Sequence, residues 1–304
     1  MKLSALGEDR LIRRIARGVR LDASVLRGIG DDCAVLKGAG GKLLLFASDM
    51  LVEGVHFLPS ARPEAIGWKA LAVNVSDVAA MGGLPRWAVI SLGLPRNQSV
   101  SFVDRLYRGL RRCAARFGVN LVGGDTVRAP RVTVDVAIVG EVGRDRLTLR
   151  SGARPGDALL VTGRLGGAVR SGRHLAFTPR LKEARALGAR AKLHAMMDLS
   201  DGLACDLPRL CEQSGVGAAL EIGRLPRRRG LSAARALSEG EDFELLIAAA
   251  PAQARRLLRW AEKNLPCGLT RIGWVVPYRG GKRVTLISPA GAPLRRIPAG
   301  FRHF

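Results

Sequence analysis

Five short stretches set aspartate beside glycine, serine or a second aspartate, with no basic residue inside the motif. They are GIGDD (Gly28 to Asp32), FASD (Phe46 to Asp49), NVSD (Asn74 to Asp77), VGGD (Val122 to Asp125) and MDLSD (Met197 to Asp201). Any one of them is ordinary cap or turn chemistry. Asp77 resists that account, because it is the lone charge in ALAVNVSDVAAMGG, Ala70 to Gly83, among small or apolar neighbours. A carboxylate in a segment made for burial must be neutral, paired or bound to a cation. Five such motifs together point to one shared cause, a cluster of ligands for a hard cation. Mg²⁺ takes carboxylate oxygens and keeps phosphate oxygens in its shell, and glycine lets backbone N–H groups come close to phosphate. The chemistry implied is therefore that of a phosphate-bearing ligand. The usual nucleotide signatures are missing: there is no GxxxxGK[ST], Gly28-Ile29-Gly30 is followed by Cys33 where a dinucleotide fingerprint wants glycine or alanine, and the protein-kinase HRD and DFG are absent. A nucleotide would be held mainly through metal ions.

The elements that must position these acids read as alternating strands and helices. Leu43 to Ala47 is expected as a buried strand. Pro63 to Met81 is expected as a helix, with Trp68, Leu71, Val75 and Val78 at helical spacing and alanine on most other faces, hence buried nearly all round. Arg86 to Leu94 reads as a strand and Ser101 to Phe117 as an amphipathic helix. Val132, Val134, Val136 and Ile138 alternate as a strand should. The run LRSGARPGD, Leu149 to Asp157, breaks the pattern and marks a domain boundary. Beyond it, strands are expected at Ala158 to Thr162, Phe243 to Ala250 and Val284 to Ile287, and helices at Leu203 to Ser214 and Ala252 to Asn264. The class is α/β (α+β), with domains at 1–148 and 149–304.

The 304 residues carry a formal charge of +23, from 49 Lys+Arg against 26 Asp+Glu. That excess invites a nucleic-acid partner. The bases lie scattered and few aromatics accompany them, so a solvated arginine-rich surface is the better reading. Five cysteines without a CxxC, and four histidines without zinc spacing, fit a reducing cytoplasm. No run of 18 apolar residues exists, so no membrane partner is expected.

The motifs resemble those of the thiamine-monophosphate kinases, within the superfamily of aminoimidazole ribonucleotide synthetase and selenophosphate synthetase. The resemblance rests on GIGDDCAV (Gly28 to Val35), SDMLVEGVHF (Ser48 to Phe57), KALAVNVSDVAAMGGLP (Lys69 to Pro85), LVGGDT (Leu121 to Thr126), RSGARPGD (Arg150 to Asp157), MDLSDGL (Met197 to Leu203), GEDFELL (Gly240 to Leu246) and GFRHF (Gly300 to Phe304). It implies transfer of the γ-phosphoryl of ATP onto thiamine monophosphate. It implies Mg²⁺ on Asp31, Ser48, Asp49, Asp77, Asp125, Asp198 and Asp201, with Asp31, Asp77 and Asp125 central to catalysis. ATP would meet Tyr107, Gly124, Asp125, Arg150 and Ser200. Thiamine phosphate would meet His56, Glu241 and Phe301. The resemblance also implies two α/β domains, with the N-terminal sheets of a homodimer joined into a barrel and active sites in clefts between domains. The physics agrees: two anionic phosphates must meet, metal ions remove their repulsion, and an ionised phosphate nucleophile needs no strong base.

This chain departs from the family pattern in places. Ala47 stands where a second hydroxyl usually precedes Ser48, and Glu239 where glycine usually precedes GED. GRLGG (Gly163 to Gly167) lacks the usual Asp-Ser, and the stretches Gly163 to Ala195 and Arg224 to Ser238 are short. A selenophosphate synthetase would want a reactive N-terminal Cys, which MKLSALGEDR lacks. A hydrogenase-maturation relative would want a C-terminal Cys, and this chain ends RHF.

Overall fold

Two sheets organise the chain in this computed structural model, which describes residues 2–294. The first holds β1 (Val25–Arg27), β2 (Ala34–Lys37), β3 (Lys42–Val52), β4 (Leu84–Leu94), β5 (Asn120–Arg128) and β6 (Thr133–Gly143), in the order β1-β2-β3-β6-β4-β5. The alternation in β6 is what the sequence predicts: Val134, Val136 and Ile138 are fully buried and the residues between them are not. The strand expected at Leu43 to Ala47 runs on to Val52. Its partner β6 continues beside it from Gly143 to Thr133, so the backbone of Ser48-Asp49-Met50 stays paired in the ladder. VGGD, too, is not a turn but the middle of β5. A Cβ on Gly124 would sit 1.8 Å from the Ile90 carbonyl oxygen, so only glycine lets β5 lie against β4 here.

Chain order continues with short N-terminal helices α1 (Leu3–Leu6) and α2 (Glu8–Ala16), then α3 (Pro63–Ala80) and α4 (Val100–Phe117). Proline at the first position opens α3. The helix is buried on nearly every side because it lies between the two sheets, packing on β3 and β6 and on elements of the second half. It also touches α4 backbone to backbone: a Cβ on Gly67 would come within 2.0 Å of the Leu106 carbonyl oxygen.

The second sheet has the order β13-β12-β9-β11-β7-β10-β8. Its strands are β7 (Ala158–Thr162), β8 (Ala195–Asp198), β9 (Val216–Glu221), β10 (Leu245–Ala249), β11 (Leu269–Pro277), β12 (Val284–Ile287) and β13 (Pro293–Leu294). Helices α5 (Leu181–Arg190), α6 (Leu203–Gln213), α7 (Ala233–Ser238) and α8 (Pro251–Asn264) complete this half. Strands β7, β8 and β10 are buried on both faces, which explains their continuous apolar runs. Leu160, Met196 and Ile247 point into a core shared with Val75, Ile90 and Leu106 of the first half. Leu159, Met197 and Leu246 point into a second core. The two halves thus meet through packed apolar side chains. β10 starts at Leu245 rather than Phe243, because Glu241 and Phe243 take the left-handed backbone region (φ 67° and 49°) and the chain turns there. All five cysteines are free thiols.

Candidate active site

Three elements converge where the two sheets meet. The last turn of α3 presents Asp77, β8 ends on Asp198, and the loop between β1 and β2 supplies Asp32. Oxygens of these three carboxylates lie within 4.8 Å of one another. Asp198 Oδ2 accepts from Ser76 Oγ at 2.5 Å, and Asp32 Oδ1 from Arg150 Nη2 at 2.6 Å. Asp32 Oδ2 is buried without a hydrogen-bond partner. Asp49, from β3, shares a hydrogen bond with Asp77. Like charges about 4 Å apart repel by about 4 kcal/mol per pair at an effective dielectric near 20. Burial first, and then the neighbouring carboxylates, hold the Asp77 and Asp198 carboxyls well above the usual range, and Asp49 above it. The carbonyl end of α3 adds its own negative potential at Asp77. An all-oxygen donor set, crowded, buried and with one orphaned oxygen, fits a hard divalent cation such as Mg²⁺.

A cavity of ≈ 490 Å³ opens beside this cluster, lined by Asp49, His56, Lys69 and Asp77 from the first half and Ser200, Asp201 and Glu241 from the second. His56 Nδ1 accepts from the Val52 backbone N–H at 3.0 Å. Glu241 hangs from a turn whose backbone N–H donates to the Ser200 carbonyl at 2.6 Å. The Lys69 ammonium, wholly buried, donates to the Glu241 carboxylate at 2.7 Å and to the His56 carbonyl at 2.9 Å.

The other expected residues are spread more widely. Asp31 accepts from the backbone N–H of Arg150 at 3.1 Å and of Asp32 at 3.1 Å, and stands outside the carboxylate trio. Burial and the Asp32 charge push its carboxyl up to about 7. Arg150 closes that loop from the other side, its guanidinium on Asp32. Ser48 points to the outer face of the first sheet and donates to Asp135 Oδ1 at 2.9 Å. Asp125 and Gly124 lie exposed on β5, at the sheet edge, where Asp125 Oδ1 accepts from the Thr126 N–H at 2.8 Å. Asp201 lines the cavity but pairs with Arg209 at 2.5 Å. Tyr107 packs from α4 against the shared core, under the Arg111 guanidinium. Phe301 lies outside the described residues. Glu239 accepts from the Gly167 N–H at 2.5 Å and pairs with Arg235. It thereby ties down the GRLGG loop, so two of the departures from the family pattern are in contact.

Two residues of this site are not singled out by sequence. Asp32 shares its motif with Asp31, and no local signal chooses between them; only the direction of each side chain does. Lys69 carries a signal in hindsight, a lysine inside a helix whose every face is buried.

Comparison with known proteins covers the whole chain. A family model described as AIR synthase related protein, N-terminal domain, matches residues 30–142, and its C-terminal counterpart matches residues 154–285. The thiamine-monophosphate kinase of Aquifex aeolicus (strain VF5) is 37% identical over 338 aligned positions, covering 100% of both chains. That of Rhodopirellula baltica is 36% identical over 312, covering 98% of this chain and 94% of the relative. A solved structure, AaThiL complexed with AMPPCP and TMP, superposes with a TM-score of 0.85 at 34% identity, covering 100% of this chain and 99% of that one.

Proposed function

We propose that this chain, which belongs to the thiamine-monophosphate kinase family, transfers the γ-phosphoryl group of ATP to the phosphate of thiamine monophosphate, giving thiamine diphosphate. The observation that carries the reading is the seam itself. A crowded, cation-hungry carboxylate cluster opens directly onto a cavity that holds His56 and Glu241.

In this reading Asp32, Asp49, Asp77 and Asp198 would hold Mg²⁺ with the other expected ligands Ser48, Asp125 and Asp201, and Asp31 would stand at the edge of the set, bracing the loop that carries Asp32. Bound Mg²⁺ neutralises the phosphate oxygens and brings donor and acceptor into line. The protein groups do the rest. Arg150 fixes the Asp31-Asp32 loop from both its backbone and its side chain. Glu241 and His56 would face the acceptor, and Phe301 is the third expected substrate contact. The Glu241 carboxylate lines the cavity with the Lys69 ammonium at 2.7 and 2.6 Å from its two oxygens. No side chain is required as a strong base, because the attacking phosphate oxygen is already ionised at neutral pH. Ser200, Gly124, Asp125 and Tyr107 belong to the ATP side of this reading.

A homodimer is part of the same proposal. Ser48 on β3 and Asp125 on β5 are three strands apart in one sheet, about 14 Å at the usual strand spacing, too far to share an ion within one chain. The outer face of that sheet exposes Phe46, Met50, Trp87 and Val89, and β5 leaves an unpaired edge. A second copy docked there would cover the apolar face and bring its own acids close. The free cysteines suit a cytoplasmic enzyme, and no described helix is long and apolar enough to cross a membrane.

Purified chain incubated with ATP, Mg²⁺ and thiamine monophosphate should form thiamine diphosphate and ADP in equal amounts, read by chromatography. An absence of product across a range of metal and substrate concentrations would end the assignment.

A further inference from the structure

We propose that Lys69 is the positioning residue of the acceptor pocket: one buried ammonium ties the His56 backbone to the Glu241 carboxylate and so sets both walls of the pocket together. The proposal rests on the phosphotransfer reading above and goes beyond it by assigning a residue that neither faces the metal cluster nor belongs to the expected substrate set.

Lys69 sits on α3, eight residues before Asp77, with no exposure at all. The residue lines the cavity. There it donates to the His56 carbonyl at 2.9 Å and to Glu241 Oε1 at 2.7 Å, with Oε2 at 2.6 Å. His56 belongs to the first half of the chain and Glu241 to the second. The ammonium is therefore a clasp across the seam, placed on a helix that packs against both sheets.

Both clasped segments need holding. Glu241 is a non-glycine residue at φ 67°, a conformation that persists only when its surroundings over-determine it. Its backbone is fixed by the Ser200 carbonyl, but that contact does not orient the carboxylate. The Lys69 hydrogen bond does. On the other side, the His56 ring is set by the Val52 N–H while its carbonyl is set by Lys69, so the peptide and the imidazole are pinned from opposite ends. Burial holds the Lys69 ammonium below its usual range, and the Glu241 carboxylate opposes that effect. With its ammonium committed to protein acceptors, Lys69 acts on the acceptor through His56 and Glu241.

Lys69→Met keeps the length of the side chain and removes the charge. The experiment compares wild type, K69M, E241Q and the double variant, measuring kcat, KM for thiamine monophosphate, KM for ATP and the urea midpoint of each. K69M should raise the acceptor KM by about tenfold or more while kcat and the ATP KM move by less than about threefold. The double variant should show an acceptor KM within about threefold of the worse single variant, because both changes break the same contact. An unchanged acceptor KM in K69M overturns the proposal. So does a fall in kcat and in ATP affinity matching the loss for the acceptor, or additive penalties in the double variant; either is what a merely structural lysine would give. Should K69M alone fail to fold, K69M/E241Q, which no longer buries an unpaired carboxylate, is compared with E241Q: equal acceptor KM values support the clasp, and a further loss of about tenfold overturns it. Wild-type protein that neither turns over nor binds thiamine monophosphate ends the kinase reading and this proposal with it. Wild-type turnover with K69M indistinguishable ends this proposal alone.

Discussion

Two groups of acids in the molecule are treated in opposite ways. At the seam, oxygens of Asp32, Asp77 and Asp198 lie within 4.8 Å of one another, and the Arg150 guanidinium serves Asp32. Farther into the second half, Glu244 receives Arg180 through two hydrogen bonds of 2.6 and 2.7 Å and Thr162 Oγ1 at 2.9 Å. Asp242 beside it receives Arg173 at 3.1 Å and the Gly166 N–H at 2.6 Å. The side-chain chemistry is similar; the partners differ. Where arginine and backbone N–H groups satisfy each oxygen, the acid holds the fold together. Where carboxylates face carboxylates and an oxygen is left over, the fold sustains a charge imbalance that protonation or a bound cation relieves. In a chain with 49 Lys+Arg the imbalance is not for want of bases. It marks the place where the bases have been kept away.

The largest effect that sharpens this contrast is on turnover. Asp77→Asn should lower kcat by about a thousandfold or more, roughly 4 kcal/mol of barrier at about 1.4 kcal/mol per tenfold. Its urea midpoint should be no lower than wild type, since one of several mutually repelling carboxyls has been made neutral. A near-native rate would remove Asp77 from the chemistry. Glu244→Gln should do the reverse. It leaves the Arg180 guanidinium buried against a neutral amide and should cost about 3–5 kcal/mol of stability, read from urea unfolding. Affinity for Mn²⁺, used as a paramagnetic probe of the divalent site, should be unchanged in folded Glu244→Gln protein. Equal loss of stability in both variants would erase the distinction between the two acid groups.

Much of this arrangement is legible in the amino-acid order, and the rest is hidden for physical reasons. β6 and α3 are plain, because one alternates cleanly and the other repeats at helical spacing with small residues between. Asp77 is plain for the same reason, a charge where the pattern allows none. β5 hides, since Gly123-Gly124-Asp125 has turn chemistry and becomes a strand only through pairing with β4, whose Ile90 carbonyl fills the space a side chain would need. The Glu241–Phe243 turn hides because its left-handed residues are not glycine and are held by contacts from Leu199 and Ser200, distant in sequence. The Lys69 clasp hides because its partners lie 13 and 172 residues away.

Asp31 and Asp32 give the finest test, since the sequence offers both and the fold turns them in different directions. Asp32 faces Asp77 and Asp198 with one oxygen on Arg150 and the other orphaned. Asp31 turns to the backbone N–H groups of Arg150 and Asp32, the work of a loop brace. A cation at the seam draws on the first and is only steadied by the second. Asp32→Asn should therefore weaken Mn²⁺ binding by about tenfold or more, an order typical of losing one ligand contact, while Asp31→Asn should weaken it by less than about threefold, as a residue that braces a ligand loop. Titration of the metal-free protein, followed by loss of the free Mn²⁺ paramagnetic signal, measures both without any need for turnover. If Asp31→Asn proves the more damaging, the two side chains exchange roles when metal binds, and the loop that carries them is the part of the seam that moves.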